Sequence, residues 1–339
     1  MYSFKNDYSE GAHPRILNAL MESNMVQEEG YGYDRHTQNA ISKIKDMIGN
    51  QDIDVHLIAG GTQTNLTAIG AFLRPHEACV CVHTGHIAVH ETGAIECTGH
   101  KVITVDSPDG KITTGKIQDV LNAHTDEHCV KPKLVYISNP TELGTIYTKS
   151  ELECISEFCK SKGLILYADG ARLGCAICAK ESGVTLSDMC RLTDAFFIGA
   201  TKNGALLGEA LVIKNEVLKE DFRYHIKQRG ALLAKGRLLG IQFEELFNDG
   251  LYFELASHAN EMARLLEGGL KDAGCGFLVD SPTNQIFPIL ENNLIEKLEK
   301  KFRFYSWEKV DDNRSAIRLV TSWATPKDAV LEFIREIQS

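Results

Sequence analysis

The sequence predicts an α/β fold, with a large domain built on a mostly parallel sheet and a small α+β domain at the C-terminal end. Two patterns indicate this fold. Short apolar runs alternate with helical patterns from residue 54 to residue 214, which is typical of a doubly wound parallel sheet. From about residue 250 the pattern changes to a helix followed by several short strand-like runs. The length of 339 residues also exceeds the size at which a single core usually stops growing.

The composition is that of an ordinary globular protein, with 43% hydrophobic and 24% charged residues. The formal net charge is −10, and the sequence has no block of Lys or Arg. We therefore expect neither a nucleic-acid partner nor a membrane partner. No apolar run approaches the roughly 20 residues of a membrane-spanning helix, and the opening MYSFKNDYSE lacks the apolar core of a signal peptide. A cytoplasmic location is expected.

The ten cysteines are dispersed through segments such as ACVCV and ECISEFCK, which read as core. Free cysteines of intracellular proteins are often distributed in this way. Cys175 and Cys178 form a C-x-x-C motif, but no second pair stands at the spacing of metal ligands. We predict no metal site.

The first elements are an arm and two helices. Residues 1–14 have no clear periodicity and are predicted to form an extended arm, followed by a large domain over 15–248 and a small domain over 249–339. The run PRILNALMESN predicts a helix with Pro14 in its first turn. After the Gly- and Tyr-rich loop QEEGYGYDRH, the apolar spacing predicts a second helix that begins near His36 and ends at Gly49.

A strand, a glycine turn and a helix follow in direct succession. The strand DVHLIA runs into Gly60, Gly61 and Thr62, and then into the helical run TNLTAIGAFL. The unpaired N–H groups and the positive dipole end of such a helix favour an anion, and phosphate is the natural guest. A tight structural turn remains an alternative, because the spacing matches neither a dinucleotide fingerprint nor a P-loop.

Further apolar runs predict the rest of the large sheet. The runs ACVCV, KVITV, KLVYIS, LILYA and DAFFIGA read as parallel strands, and GEALVIK reads as a strand that turns back. LILYA ends at Asp169, and DAFFIGA leads to Lys202. Because the carboxyl ends of parallel strands form one crevice, this carboxylate and this amine are expected in the same cleft. Pyridoxal phosphate needs a lysine for its aldehyde and an acid beside its ring nitrogen.

Other polar side chains of the sequence are weaker candidates for residues of the predicted site. The segment HTGHIAVHETGA carries His83, His86 and His90, but H-E-x-x-H is absent and an isolated histidine is more often structural. Arg318 stands in an apolar strand-like run, and Arg172 follows Asp169 by three residues. Because a buried arginine needs an anion, each is either a carboxylate ligand or a structural ion pair.

The region from residue 216 to residue 247 reads as a long helical segment with a basic cluster that includes Lys227, Arg229 and Lys235. The cluster is either a solvated helix face or a phosphate contact. Beyond it, the helical run LASHANEMARLLEGGLKDAG, the strand-like runs CGFLVD, QIFPIL, KFRFYSW and IRLVTSW, and a closing helix describe the small domain.

Several motifs together resemble one family of enzymes. ADGARLG followed by F-x-x-G-A-T-K-N-G resembles the paired motifs of the threonine aldolases and β-eliminating lyases. The segments FKNDYSEGAHP, GYGYD, GGTQTN, GHIAVHETG and IRLVTSW resemble family segments in the same order, so the likeness covers nearly the whole chain. The resemblance implies the aspartate-aminotransferase fold, which is fold type I of the pyridoxal-phosphate enzymes. Its large domain has a mostly parallel seven-stranded sheet sandwiched by helices.

The resemblance also implies roles for individual residues. The implied catalytic residues are Lys202, Asp169 and His86. Lys202 would hold the cofactor and Asp169 would contact its ring nitrogen, while His86 would pack on the ring and take part in proton transfer, with Glu91 matching the family's acid. The phosphate would be bound by Gly61 and Thr62 and by the segment with Lys227 and Arg229, sometimes from a neighbouring subunit. Arg172 and Arg318 would clamp the substrate carboxylate, and Arg172 would also contact the cofactor. Asn6, which stands where the relatives often have a serine, would help to bind the substrate. Tyr31 would line the pocket or reach a neighbouring subunit.

The implied reaction is the retro-aldol cleavage of threonine or allo-threonine to glycine and acetaldehyde, by a homodimer or homotetramer. A β-eliminating lyase or an aminotransferase on the same scaffold is an alternative, and a phosphate- or nucleotide-binding module without a covalent lysine is a more distant one. One position departs from the family. Its lyases often carry a histidine where this sequence has Asn139, Thr141 and Glu142, which leaves the exact substrate open.

Overall fold

The computed structural model describes residues 1–338. Its strands are β1 (Tyr2–Ser3), β2 (Asp54–Ile58), β3 (Glu77–Val82), β4 (Val102–Val105), β5 (Lys131–Ser138), β6 (Ile165–Asp169), β7 (Ala195–Gly199), β8 (Glu209–Ile213), β9 (Gly276–Phe277), β10 (Gln285–Ile286), β11 (Pro288–Glu291), β12 (Phe302–Arg303), β13 (Tyr305–Lys309) and β14 (Arg314–Val320).

The helices occupy most of the remaining chain. They are α1 (Pro14–Ser23), α2 (Arg35–Ile48), α3 (Gly61–Phe72), α4 (His86–Val89), α5 (Thr114–Ala123), α6 (Lys149–Lys162), α7 (Leu173–Cys178), α8 (Leu186–Leu192), α9 (Phe222–Gln228), α10 (Arg237–Leu246), α11 (Leu251–Asp272), α12 (Asn292–Leu298) and α13 (Lys327–Gln338). Within residues 1–338, no helix has both the length and the apolar character needed to cross a membrane.

A seven-stranded sheet forms the centre of the large domain, with the strand order β2-β8-β7-β6-β5-β3-β4. Only β8 runs antiparallel to its neighbours, β2 and β7, and the other adjacent pairs are parallel. The predicted mostly parallel sheet and the predicted reversal of GEALVIK are therefore confirmed. Because β5, β6 and β7 end at the same edge, the loops after them share one side of the molecule.

Both faces of this sheet are buried, which explains the continuous apolar runs of its strands. In β6, Leu166 and Ala168 belong to one core, which includes residues of α1, α2, α6 and α10. Ile165 and Tyr167 point to the opposite face and belong to a second core with α3 and α9. The two-residue period of a strand thus distributes each apolar run between two layers of helices.

The prediction of one long helical segment over residues 216–247 is wrong, because the segment is interrupted. Two separate helices, α9 and α10, are joined by a non-helical stretch over residues 229–236. Gly230 has a φ of +71°, which does not continue a right-handed helix, and its N–H donates to the carbonyl of Lys227. The short helices α4, α7, α8 and α12 also lacked a pattern long enough to predict them.

The small domain contains an antiparallel sheet of β9, β10, β11, β13 and β14, packed against α11 and α13. The N-terminal arm is part of this unit. Its β1 pairs with β12, and Phe4 is fully buried among Leu266, Leu319 and Phe333. The predicted domain limits remain a prediction, since α11 also packs against α7 of the large domain.

Candidate active site

A cleft of about 710 Å³ lies at the carboxyl ends of the parallel strands. Its walls include residues from both the large sheet and the small domain. The residues predicted from the sequence that line it are Gly61, Thr62, His86, Asp169, Arg172, Lys202 and Arg318. Four other predicted residues, Asn6, Tyr31, Lys227 and Arg229, are not among the residues that line it.

Two glycines bring the loops of Asp169 and Lys202 together. The N–H of Gly199 donates to the carbonyl oxygen of Gly170 over 2.9 Å, which ties the end of β7 to the end of β6. A Cβ atom at Gly170 would lie 1.9 Å from the oxygen of Phe197, and one at Gly199 would lie 2.4 Å from the oxygen of Ala171. Only glycine permits this approach of two backbones, so these glycines of the two motifs set the geometry of the site.

Asp169 is a buried carboxylate with three donors. Its Oδ2 accepts hydrogen bonds from the hydroxyl of Tyr136 at 2.7 Å and from Nδ2 of Asn65 at 3.0 Å, and its Oδ1 accepts one from the N–H of Ala171 at 2.9 Å. Burial and the nearby Asp169 charge raise the pKa of Tyr136, so its hydroxyl remains a donor. These bonds fix the carboxylate at the floor of the cleft.

His86 begins α4 and is bonded to an acid behind it. Its Nδ1 lies 2.8 Å from Oε1 of Glu91, which also accepts a hydrogen bond from Asn65 at 2.8 Å. Burial alone would lower the pKa of His86, but the hydrogen bond to Glu91 and the charge of Asp169 outweigh it, so the pKa is raised. Asn65 therefore links the supports of Asp169 and His86 in one network.

Lys202 follows β7, and within residues 1–338 its amine has no hydrogen-bond or salt-bridge partner. Burial and the positive charge of Arg172 lower the pKa of Lys202. A lowered pKa leaves more of the amine unprotonated and nucleophilic. The loop itself is fixed, because Nδ2 of Asn203 donates to the carbonyl oxygen of Tyr252 at 2.7 Å.

Glu209 begins β8 and lines the cleft near Lys202. Its Oε1 accepts a hydrogen bond from the hydroxyl of Thr201 at 2.9 Å, and its Oε2 is buried without a partner. Burial raises the pKa of Glu209 to about 8, although the charge of Lys202 acts in the opposite direction. A carboxyl group with a raised pKa and an amine with a lowered pKa therefore line the same cleft, a pattern that is typical of functional sites.

The glycine turn before α3 forms the end wall of the cleft. No side chain caps this helix, and the first backbone bond back to the turn runs from the N–H of Thr64 to the oxygen of Gly60 at 2.9 Å. A Cβ atom at Gly60 would meet no other atom within 4 Å. The turn thus offers open space beside an uncapped helix N-terminus, which suits a phosphate group.

Arg172 is held by Asp7, which the sequence reasoning did not single out. Its Nε and Nη2 donate to the two oxygens of Asp7 at 2.6 and 3.0 Å, and Asn284 donates to Asp7 at 2.9 Å. Burial would raise the pKa of Asp7, but the charges of Arg172 and Lys202 outweigh it and lower the pKa. The pairing uses one edge of the guanidinium and leaves the Nη1 donors of Arg172 available to an anion.

Arg318 has no carboxylate partner in the part of the chain that the structure describes. Its guanidinium lies 5.1 Å from the ring centre of Tyr305 and 5.3 Å from that of Trp307, and its buried Nε has no hydrogen-bond partner. Burial and the charge of Arg172 lower the pKa of Arg318. Among the described residues, Asp7 pairs with Arg172 alone, so the guanidinium of Arg318 is left without a carboxylate and is available to an anionic ligand in the cleft.

The other predicted residues lie elsewhere on the chain. The Oδ1 of Asn6 accepts hydrogen bonds from the N–H of Tyr8 and the hydroxyl of Ser9, so it stabilises its own turn. The amine of Lys227 lies 4.7 Å from the ring centre of Tyr31 on an exposed surface. The guanidinium of Arg229 lies beside Gly70, in the last turn of α3. Their roles in binding remain predictions.

The groups in the cleft fit pyridoxal phosphate. A buried carboxylate, an unpaired lysine amine, an imidazole and an uncapped glycine turn all line one cavity. The sequence reasoning missed the groups that hold this set in place, namely Asp7, Asn65 and Tyr136. Of these three residues, only Asn65 could have been noticed in the sequence, because its amide side chain stands in a largely apolar helical run.

A family model, a curated relative and a solved structure each match most or all of the chain. A sequence model of the family described as beta-eliminating lyase matches residues 10–293. A low specificity L-threonine aldolase of Pseudomonas aeruginosa is 32% identical, over 99% of this chain and 96% of that protein. A structure of Leishmania major threonine aldolase is 51% identical with a TM-score of 0.99, covering 100% of this chain and 99% of that one.

A more distant structure indicates the fold alone. Thermus thermophilus aspartate aminotransferase is 14% identical, with a TM-score of 0.71 over 97% of this chain and 88% of that one. Together with the sheet order, this likeness confirms the predicted aspartate-aminotransferase fold.

Proposed function

The chain belongs to the beta-eliminating lyase family, and we propose that it is a pyridoxal-phosphate-dependent lyase of β-hydroxy-α-amino acids. Its proposed reaction converts threonine or allo-threonine to glycine and acetaldehyde. The observation that carries the proposal is the placement of Asp169 and an unpaired Lys202 in one cleft with two arginines. The 32% identity to an L-threonine aldolase supports the choice of substrate.

Four groups would hold the cofactor. Asp169 would contact the ring nitrogen, His86 the ring, the turn at Gly61 and Thr62 the phosphate, and Lys202 the aldehyde. When bound, pyridoxal phosphate supplies an aldehyde that reacts with amines and a ring that accepts an electron pair from the substrate α-carbon. The carboxylate of Asp169, fixed by Tyr136 and Asn65, would stabilise positive charge at the ring nitrogen.

The arginines orient the substrate. Arg318, which has no acidic partner among the described residues, binds the α-carboxylate together with the free edge of Arg172. Asp7 keeps Arg172 in place and partly offsets its charge. Fixing the carboxylate and the amine restricts rotation of the substrate, which positions the bond to be broken.

A direct experiment tests the function. The purified protein is expected to be yellow, and borohydride should bleach the colour; a colourless protein would favour the phosphate-binding module instead. Threonine, serine and tryptophan are then assayed side by side for aldehyde, pyruvate and indole. Aldehyde from threonine is the expected result. Turnover of another substrate without aldehyde from threonine would overturn the aldolase proposal in favour of elimination or transamination.

Arg318→Ala is expected to weaken substrate binding. Loss of a charged hydrogen bond of roughly 1.5–3 kcal/mol corresponds to a rise in KM of about 10- to 100-fold. Cofactor absorbance should not change. Arg314→Ala is the matched control, because Arg314 lies on the same strand, β14, but pairs with Asp311 at the surface. Equal KM values in the two variants would remove Arg318 from the carboxylate site.

We further infer that the chain acts as a homodimer or homotetramer. The support is an exposed patch outside the cleft, where Lys227 lies over Tyr31 and Arg223 lies 4.7 Å from the ring centre of Tyr33. Such a patch of aromatic and basic groups suits contact with the phosphate site of a second copy. Sedimentation should give at least a dimer, and Tyr31→Ala should shift it toward monomer and lower activity. A fully active monomer would contradict this inference.

A cytoplasmic location is also proposed. The observation that supports it is that all ten cysteines, which lie within the described residues, are free thiols. Free thiols persist in reducing compartments. Fractionation of the source cells tests the location.

A further inference from the structure

Glu142 is a carboxylate in the cleft with one free oxygen. It lies in the turn that follows β5 and lines the cleft beside His86. Its Oε1 accepts hydrogen bonds from the hydroxyl of Ser138 at 2.8 Å and from the backbone N–H of His86 at 3.0 Å. Its Oε2 is buried and has no hydrogen-bond partner. A buried carboxylate oxygen without a donor is costly, so it indicates a place for a donor from a ligand.

The other acids of the site already have partners for their roles. Asp169 accepts three hydrogen bonds. Oε1 of Glu91 is bonded to His86 and Asn65, and although its Oε2 has no partner, Glu91 does not line the cleft. Glu209 also has a free oxygen, but the charge of Lys202 acts directly on it. Once a substrate amine displaces Lys202, the released lysine can donate to Glu209. Glu142 is therefore the acid whose free oxygen remains for the substrate.

The turn that carries Glu142 is fixed on both sides. The hydroxyls of Thr141 and Thr145 lie 2.7 Å apart, and that of Thr145 donates to the carbonyl of Asp109. From the small domain, the hydroxyls of Ser281 and Thr283 both donate to the carbonyl of Gly144. Because this turn is held in one position, little conformational entropy is lost when Glu142 contacts the substrate hydroxyl. Such preorganisation favours proton transfer.

We propose that Glu142 removes the proton from the β-hydroxyl of the substrate, an inference that depends on the proposed aldolase function. In this step the hydroxyl proton moves to Oε2 of Glu142, and the C–O bond becomes the carbonyl of the aldehyde. The Cα–Cβ bond breaks, and its electron pair stays with Cα. Cα then takes a proton from water to give glycine, and Glu142 returns its proton to water, so atoms and charge balance.

Electrostatics support this role. Burial raises the pKa of Glu142, and the charge of Asp169 raises it further, while Ser138 and His86 act in the opposite direction. A carboxylate with a raised pKa is a stronger base than an ordinary glutamate. Six titratable groups interact electrostatically with Glu142, and they come from several elements around it: His86 on α4, Asp169 on β6, Tyr136 on β5, Cys81 on β3, Arg172 after β6 and Tyr147 after β5.

Glu142→Gln tests the proposal in the holoenzyme, because it keeps the shape and removes the base. Threonine cleavage and the exchange of the glycine α-proton in D₂O are measured on the same samples. Cleavage is expected to fall about 10²-fold or more, whereas exchange, which involves no hydroxyl, should stay close to that of the wild type. The acidic limb of kcat/KM for threonine, where Glu142 gains its proton, should disappear. Glu127→Gln, in the exposed loop before β5, is the matched control.

Several outcomes would overturn the role of Glu142. Cleavage close to that of the wild type would do so, and so would an equal loss of cleavage and exchange, which would indicate a structural role. Cofactor absorbance and the borohydride-fixed adduct at Lys202 should be unchanged in the variant. If Glu142→Gln does not fold, Glu142→Asp retains the charge, draws the carboxylate back, and should again reduce cleavage more than exchange. A wild type that does not cleave threonine would instead refute the proposed function.

Discussion

Replacing Lys202 with alanine is expected to lower steady-state turnover of threonine by on the order of 10⁴-fold, as removal of a group that acts covalently usually does. Cofactor binding should weaken but persist. The contacts from Asp169, His86 and the turn at Gly61 do not depend on the lysine, since none of them bonds to its amine. The loss should therefore appear in kcat far more than in cofactor content.

The reason lies in product release. The unpaired amine of Lys202, with a pKa lowered by burial and by Arg172, is the group in the cleft best suited to displace the product amine from the cofactor. Without it, glycine should leave very slowly, although a single slow turnover remains possible because the base for cleavage is a different residue. Burst kinetics measure this difference directly, as one equivalent of acetaldehyde followed by a very slow phase.

Mass spectrometry after borohydride reduction supplies the second measurement for Lys202→Ala. The cofactor adduct should map to Lys202 in the wild type and to no lysine in the variant. Lys214→Ala is the control, because Lys214 directly follows β8 at a half-buried position outside the cleft, and its amine donates a hydrogen bond to the carbonyl of Arg191. An adduct on another lysine, or unchanged steady-state turnover in Lys202→Ala, would refute the assignment.

The sequence was sufficient to predict the large sheet and two residues of the cleft at the carboxyl ends of its strands. Buried parallel strands leave continuous apolar runs, and the polar residues that directly follow a run mark the strand end. Asp169 and Lys202 could be identified in this way, and the structure places both in the cleft. The family prediction is likewise confirmed by the match over residues 10–293.

The partners of these residues could not be predicted, because they come from distant parts of the chain. Asp7 meets Arg172 across 165 residues, and Asn65 meets Asp169 across 104 residues. No local period encodes such contacts, since they depend on how the arm and α3 pack onto the finished sheet. Tyr136 was hidden for a different reason. Within an apolar run a tyrosine reads as core, and only the pairing of β5 with β6 brings its hydroxyl to Asp169.

The same limit applies to the acids in the cleft and to the residues outside it. The sequence indicates that Glu142 follows a strand, but not that one of its oxygens lacks a donor. Conversely, three residues of segments that resemble the family lie outside the cleft of their own chain, namely Tyr31, Lys227 and Arg229. A single chain cannot test a role that a second copy would complete, so their placement in the site remains a prediction.

Asp169→Ala is expected to reduce turnover about 10³-fold, because it removes a preorganised charge from a buried site. The side chain accepts bonds from Tyr136, Asn65 and Ala171, so its loss also leaves these donors unsatisfied and should weaken cofactor binding. Asp119→Ala, on the exposed face of α5, is the control for a change of the same type.

A cofactor analogue separates the electrostatic role of Asp169 from a structural one. Pyridoxal phosphate methylated at the ring nitrogen carries a fixed positive charge, and Asp169→Ala removes the carboxylate that the methyl group would otherwise meet. Reconstitution with this analogue should therefore restore part of the lost activity in the variant, while it should inactivate the wild type, where the carboxylate is still present. Retention of activity by Asp169→Ala with the normal cofactor would show that the ring nitrogen contacts another group. Failure of the analogue to restore activity in a folded variant that binds it would show that the role of Asp169 is to hold Tyr136 and Asn65 rather than to stabilise charge.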